Sequence, residues 1–354
     1  ILDGVSPHSS AGGVPCVDAA AVSCCQNRRS RTGCRYYGLE GSGIGAVGPS
    51  PSSGKGAVAV EEVNGAVYAG QGKLRKLQVA VDETYCAGTG NRPCVKIEGP
   101  ALLLDPQGEP TRTYHVLRAY RNHLSPGDRL LLKAPQAVFA QKLRKGKTFV
   151  ENPDYLNAEV FTRRFHEPAR QLLGDALHGI LFEQEYRRKK ERADNEAFAN
   201  GLDVFFSSLP ADPDYHVEIR TEAFLGPPTF EVLERHGVGH VLSHWTWLPS
   251  LWKQFHTGGR RFYNKGKECV VRLMTPHGVR YADAYRQAFP FDRIVEGMMS
   301  PGMLEDALLV TGEALRENVR VNLVVNNRAG GNAPMIARRF ARRFIQRIAG
   351  GHRG

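Results

Sequence analysis

The sequence predicts an α/β protein, a TIM-barrel-like parallel (β/α) barrel that is incomplete at its N-terminal strands unless two weak runs near the start supply them. Three observations carry that reading. From about residue 111 onward, short β-branched runs alternate with helical stretches, and parallel strands need a crossover that is usually a helix. Six strand–helix pairs occupy residues 129–348, roughly 37 residues each, which is compatible with an eight-unit barrel of about 250 residues. Polar residues stand at the ends of otherwise apolar strands, the edge on which parallel α/β folds assemble their chemistry. The rival is an open, doubly wound sheet of six strands. Six strands alone would leave hydrophobic edges; Ala66–Gly70 and Leu77–Tyr85 would complete eight.

Composition divides the chain before any element is placed. Residues 1–64 are rich in Gly, Ser, Ala and Pro and have neither helical nor strand period. Such a stretch buries too little apolar surface to offset ordering entropy and is expected to be disordered or non-native low-complexity sequence. Residues 65–112 hold the two weak strands, and residues 113–354 form the barrel-like domain. Six of seven cysteines (Cys16, Cys24, Cys25, Cys34, Cys86 and Cys94) precede residue 95, with Cys269 alone beyond. No CxxC pair is present, which leaves little support for a zinc site. The chain begins with Ile1 and its first methionine is Met274, as expected of a fragment or a misplaced start.

The chain carries a formal charge of +11, with a pI near 9.4. Residues 1–110 are balanced at ten basic and ten acidic side chains, so the excess lies wholly in residues 111–354. Much of it sits in helices, in Arg187–Lys190 and from Arg338 to Arg347, where charge is ordinarily a solvated face. Nucleic acid is the alternative partner that such a balance invites. No apolar run approaches the ~18 residues that a membrane span requires, and no signal-peptide layout opens the chain. The expected location is the cytoplasm.

Within the barrel-like domain the elements follow in order. Val116–Leu124 reads as a short helix and Arg129–Pro135 as a strand ended by its proline. A longer helix spans about Pro153–Leu173, capped by Asn152 or Asp154, with Pro168 expected to kink or break it. Gly179–Glu185, His216–Thr221, His240–Trp245 and Cys269–Thr275 are strands. Helices are placed at Asn195–Leu209, Thr229–His236, Tyr281–Ala288 and Pro301–Glu317. The clearest strand, Val319–Asn327, runs through glycines into an amphipathic helix at Pro334. That helix has Ile336, Phe340, Phe344 and Ile348 on one face and arginines elsewhere.

The candidate site is drawn from polar residues in these strands. A charge in a buried strand is costly unless paired, yet Lys133, Glu183, Glu218, Arg220, His244, Arg272, Asn326 and Asn327 all occupy such places. Glu218 and Arg220 are two apart and so share one side of their strand. Glu183 and Glu218 are the candidate general acid and base. Lys133, Arg220 and Arg272 would hold an anion through charge-assisted hydrogen bonds, joined by the N-terminus of the last helix. His244, Asn326 and Asn327 complete the substrate contacts. Two carboxylates with His244 are also the set for a divalent metal, if one is bound. Trp245, Trp247 and Trp252 lie within eight residues, either as an aromatic wall for a sugar or base or as packing over the rim. Walker, GxSxG and HExxH signatures are absent.

The segments Tyr215–Arg220, Asn152–Phe161 and Val325–Pro334, with Lys133-Ala-Pro135 and Leu181-Phe-Glu183, resemble the YecE-like family, domain of unknown function seventy-two. The likeness covers roughly residues 113–348. It implies a TIM-barrel-like fold in a bacterial cytoplasmic protein and no particular activity. The family's opening Gly-x-Ser-x-Trp strand has no counterpart here; Leu77–Tyr85, with Asp82 and Tyr85, stands where its second strand would be. The expected function is an enzyme, a hydrolase or an isomerase or lyase, acting on a small anionic or sugar-like substrate. A nucleic-acid-binding protein and a non-catalytic interaction module are the alternatives.

Overall fold

The computed structural model describes residues 102–122, 124, 129–145, 148–191 and 194–350, and the backbone of four short strands at 2–3, 59–63, 66–70 and 78–82. Apart from those strands, the segment expected to be disordered lies outside the described residues, as do Tyr85 and the six early cysteines. The fold is mixed α/β with parallel sheets. Two compact units divide the chain, Ile97–Val270 and the pair Ile1–Lys96 with Val271–Gly354.

In chain order the strands are β1 (Leu2–Asp3), β2 (Ala59–Val63), β3 (Ala66–Gly70), β4 (Gln78–Asp82), β5 (Arg129–Lys133), β6 (Lys142–Lys145) and β7 (Thr148–Glu151). They continue with β8 (Leu177–Glu183), β9 (Tyr215–Glu218), β10 (Gly239–His240), β11 (Leu242–His244), β12 (Glu268–Leu273) and β13 (Arg320–Asn326). The helices used below are α1 (Arg112–Arg121), α2 (Gln136–Phe139), α3 (Ala158–Phe161), α4 (Glu167–Leu173), α5 (Asn195–Ser207), α6 (Pro227–His236), α7 (Leu251–Thr257), α8 (Tyr281–Ala288), α9 (Met303–Arg316) and α10 (Ala333–Gly350).

The central unit is built on β5, β8, β9 and β10, paired in parallel in that order. One face of β8 and β9 is aromatic. Phe182 and Tyr215 pack with Phe139, Phe161, Phe205 and Phe206 from the covering helices, ring centres 5.0–6.1 Å apart. Side chains alternate along a strand, so Glu183 and the series His216, Glu218 and Arg220 go to the other face. His216 fits there because β10 carries Gly239: a Cβ at that position would collide with the imidazole ring.

The helix expected over 153–173 differs in detail. Asn157, rather than Asn152 or Asp154, caps α3, its Oδ1 accepting from Val160 N–H at 3.0 Å. Asn152 instead fastens a turn, donating to the carbonyls of Ala137 (2.9 Å) and Ala140 (2.7 Å). The helix is not broken at Pro168. Thr162–His166 forms one π-helical turn, and Pro168 falls at the start of α4, where its missing N–H costs little. The antiparallel hairpin of β6 and β7 has no expected counterpart. Four residues per strand, mostly exposed, leave little periodicity to detect.

In the other unit β4 pairs in parallel with β13 over five residues, Gln78–Asp82 against Asn322–Asn326. The weak run at 77–85 is thus a strand beside the last one. Its companion Ala66–Gly70 is also a strand, but it pairs antiparallel with Ala59–Val63 and not with a parallel neighbour. β13 leads to α10, whose Ile336, Phe340 and Phe344 are buried while Arg339, Arg342, Arg343 and Arg347 are exposed. Among the described residues no helix is long and apolar enough to cross a membrane.

Three buried groups of the central unit make its stability depend on pH. Burial pushes His216 and His240 down to about 4, Glu268 drawing His216 partly back. Burial would raise the Asp212 carboxyl, but hydrogen bonds from His166 and Arg170 outweigh it and hold Asp212 at about 2. For all three the unfolded chain binds protons more readily, so stability falls as pH falls. Circular dichroism melts should show a loss between about pH 6.5 and 4, worth up to ~3 kcal/mol per histidine. A further loss of ~2 kcal/mol from Asp212 should follow between about pH 4 and 2. A melting temperature flat from pH 7 to 4 would contradict the buried, neutral histidines.

Candidate functional site

Three adjacent parallel strands bring Lys133, Glu183, Glu218 and Arg220 together at their carboxyl ends. The register places Lys133 opposite Leu181 and Glu183 opposite Glu218. Lys133 Nζ lies 3.0 Å from Glu183 Oε1, and Arg220 Nη2 lies 3.1 Å from the same oxygen. Arg220 Nη2 also donates to Glu218 Oε2 at 2.9 Å. The result is a chain of alternating charge, Lys133–Glu183–Arg220–Glu218. Exposure grades along it: the Glu218 side chain is fully buried, those of Glu183 and Arg220 are 16% and 19% exposed, and that of Lys133 is 39% exposed.

The backbone is locked around this chain. Arg220 stands two residues beyond Glu218, just past the end of β9, and its N–H donates to Gln184 Oε1 at 3.0 Å. Gln184 N–H donates in turn to Glu218 O at 2.9 Å. The loops after β8 and β9 are joined again where Arg187 N–H donates to Thr221 Oγ1, 3.0 Å away. Placement of the guanidinium therefore does not depend on its side-chain torsions alone.

An aromatic rim adjoins the charges. The Arg220 guanidinium lies 5.6 Å from the ring centre of Trp245, within the range of a cation–π contact. Tyr186 stands between Trp245, at 5.7 Å, and Trp247, at 6.1 Å. Trp252 packs on Phe255, His256 and Arg260. Of the three tryptophans expected either to form a wall or to pack over the rim, Trp245 and Trp247 are grouped with Tyr186.

The remaining candidates divide between the two units. His244, at the end of β11, is buried and precedes Trp245 in the chain. Arg272 belongs to the other unit and is wholly buried there. Asn326 and Asn327 in that unit serve the turn between β13 and α10. Asn326 Oδ1 accepts from Arg328 N–H at 2.9 Å, and Asn327 Oδ1 accepts from Ala333 N–H at 2.7 Å. Asn332 Oδ1 accepts from Met335 N–H, and Pro334 has no N–H to offer. The N-terminus of α10, expected to present donors to an anion, is thus capped by its own chain. Among the described residues no three His, Cys, Asp or Glu side chains are grouped to hold a metal ion, so Glu183, Glu218 and His244 do not form such a set.

Sequence reasoning passed over Tyr186 and Glu185. Burial raises the Glu185 carboxyl above its usual range, against the pull of Arg187 and of backbone N–H groups of Lys142 and Gln141. Arg187 is itself buried and reaches Tyr155 Oη at 3.4 Å. In the sequence Arg187 reads as part of a solvated basic run; only its neighbours show that it faces inward.

The model of a protein family of unknown function, DUF72, matches residues 111–351. The chain belongs to the DUF72 family. Among solved structures it is similar to a DUF72 family protein from Enterococcus faecalis V583, in two structures. Each is 13% identical with a TM-score of 0.43, covering 65% and 64% of this chain and 79% and 82% of the other. It is also similar to a DUF72 family protein from Thermotoga maritima MSB8, 17% identical, covering 70% of this chain and 82% of that one, with a TM-score of 0.37. No curated protein matches.

The bridge makes a prediction about stability. Arg220→Met takes from the buried Glu218 carboxylate the guanidinium that bonds its Oε2 and should cost about 3–5 kcal/mol in chemical denaturation. Adding Glu218→Gln should recover much of that loss, because the charge is then removed as well. Lys133→Met, at the exposed end, should cost no more than ~1 kcal/mol. Equal losses for Lys133→Met and Arg220→Met would refute the graded chain.

Proposed function

We propose that the carboxyl-terminal rim of β5, β8 and β9 binds a small anionic or sugar-like substrate and carries out acid–base chemistry on it. The observation that carries this reading is the Lys133–Glu183–Arg220–Glu218 chain, donated by three separate strands and open to solvent at its Lys133 end. Lys133 and Arg220 bind the anion through charge-assisted hydrogen bonds. Glu183 and Glu218, held beside Arg220, serve as base and proton carrier, and His244 completes the substrate contacts. The activity is that of a hydrolase, an isomerase or a lyase in a bacterial cytoplasm. The scaffold belongs to the same proposal: a TIM-barrel-like (β/α) barrel with its first strands in the N-terminal third. It is supported by the strand–helix alternation and by parallel pairing within each unit.

Binding and chemistry separate by mutation. In a thermal-shift assay at low salt, inorganic phosphate well above its dissociation constant should raise the melting temperature by about 2–4 °C, and Lys133→Met should abolish that rise. On a panel of p-nitrophenyl glycosides and phosphate esters, Glu218→Gln should lower any turnover at least ~100-fold while changing the melting temperature little. Loss of activity and stability together would assign Glu218 to structure alone.

One observation favours the second reading, nucleic acid. The hairpin of β6 and β7 sets the basic Lys142, Arg144 and Lys145 beside Phe149, which is exposed. Contact with several phosphates would make affinity for a random RNA oligonucleotide fall steeply with salt. A shallow salt dependence, or no binding, counts against it.

A further inference from the structure

We infer that Tyr186, Trp245 and Trp247 form a stacking platform for a sugar ring, so that the ligand of the rim is an acidic sugar, a pyranose bearing a phosphate or carboxylate. This inference rests on the anion site proposed above and adds the class of ligand.

The platform is continuous with the charged chain, and Arg220 is the joint. The guanidinium touches Glu183 and Glu218 and lies over Trp245. Ring contacts then run outward through Tyr186 to Trp247. Tyr186 and Trp247 are 39% and 44% exposed. They are large rings left in water directly beside a set of paired charges. All three residues follow strand ends, Tyr186 after β8 and both tryptophans after β11, which is where the loops carrying a binding site stand in parallel α/β folds.

The geometry favours a sugar over a nucleobase. A base is gripped by ring faces parallel to its own, as on the stacking surfaces of single-strand binders. Here Tyr186 is tilted 57° from Trp245 and 31° from Trp247, so Tyr186 forms no parallel slot with either tryptophan. A pyranose needs one ring face for its axial C–H groups and leaves its hydroxyls at the edge. Each hydroxyl is both donor and acceptor, and alternating Lys, Glu and Arg side chains at 2.9–3.1 Å spacing supply both partners. Lys133, the most exposed cation of the chain, is the group available to an anionic substituent.

Tryptophan fluorescence titrations of the full chain at low ionic strength test this with inorganic phosphate, glucose 6-phosphate, glucuronate and adenosine 5′-monophosphate. Glucose 6-phosphate is expected to bind about tenfold more tightly than phosphate. Trp247→Ala should reduce that advantage to within about twofold, with the phosphate dissociation constant and the melting temperature unchanged. Phosphate binding with no gain from the sugar overturns this inference and leaves the anion site standing. So does tighter binding of adenosine 5′-monophosphate than of either sugar, or a sugar advantage that survives Trp247→Ala. If phosphate fails to bind and Lys133→Met changes nothing, the anion site and the platform fall together.

Discussion

The central unit depends on one guanidinium. Glu218 is wholly buried at the end of β9, and an unpartnered carboxylate there would cost several kcal/mol. Arg220 offsets part of that cost and also reaches Glu183 on the neighbouring strand. Because a slip of one residue would send a strand's side chains to the opposite face, the bridge works only in the observed register, Glu183 beside Glu218. Backbone alignment and rim chemistry are therefore one constraint.

The opposite ends of the same strands are polar too, with a different character. At the start of β5, Arg129 Nη1 lies 2.7 Å from His178 Nε2, which lies 3.0 Å from Glu268 Oε1. Near the start of β9, Asp212 takes His166 at 2.7 Å and Arg170 at 2.6 Å, and Arg170 also donates to Asp214 and to the Leu177 carbonyl. Through Arg170 the second group ties helix α4 to the strand ends. Polar residues at the amino ends of parallel strands act in stability; the charges at the carboxyl ends differ in being partly exposed and in adjoining the rings of Trp245 and Tyr186.

In the unit that holds β13, amides at the strand end serve the turn that follows. Asn326 and Asn327 are the residues expected to contact a ligand; their oxygens, and that of Asn332, accept backbone N–H groups that the turn and the first residues of α10 would otherwise leave unmet. Gly331, at φ +106°, makes the turn possible, since a side chain there would meet the Arg293 carbonyl. Arg328 is likewise turned inward, 4.0 Å from the centre of the Tyr281 ring.

Much of the framework was legible in the sequence. The parallel strands at 129–133, 177–183, 215–218 and 320–326 announce themselves as apolar runs with a polar terminus, and the two-residue period puts Glu218 and Arg220 on one face. Short or exposed elements did not: β6 and β7 have no buried face to impose a period, and the π-turn before Pro168 depends on local packing. What the residues alone determined was the alternation of elements and which side of a strand each charge takes, because both follow from local backbone geometry. Only the tertiary structure decided that Lys133, Glu183, Glu218 and Arg220 touch, that Tyr186 stands between two tryptophans, and that Asn327 is spent on a helix cap. Each of those depends on contacts between segments far apart in the chain, and a linear pattern carries no distances.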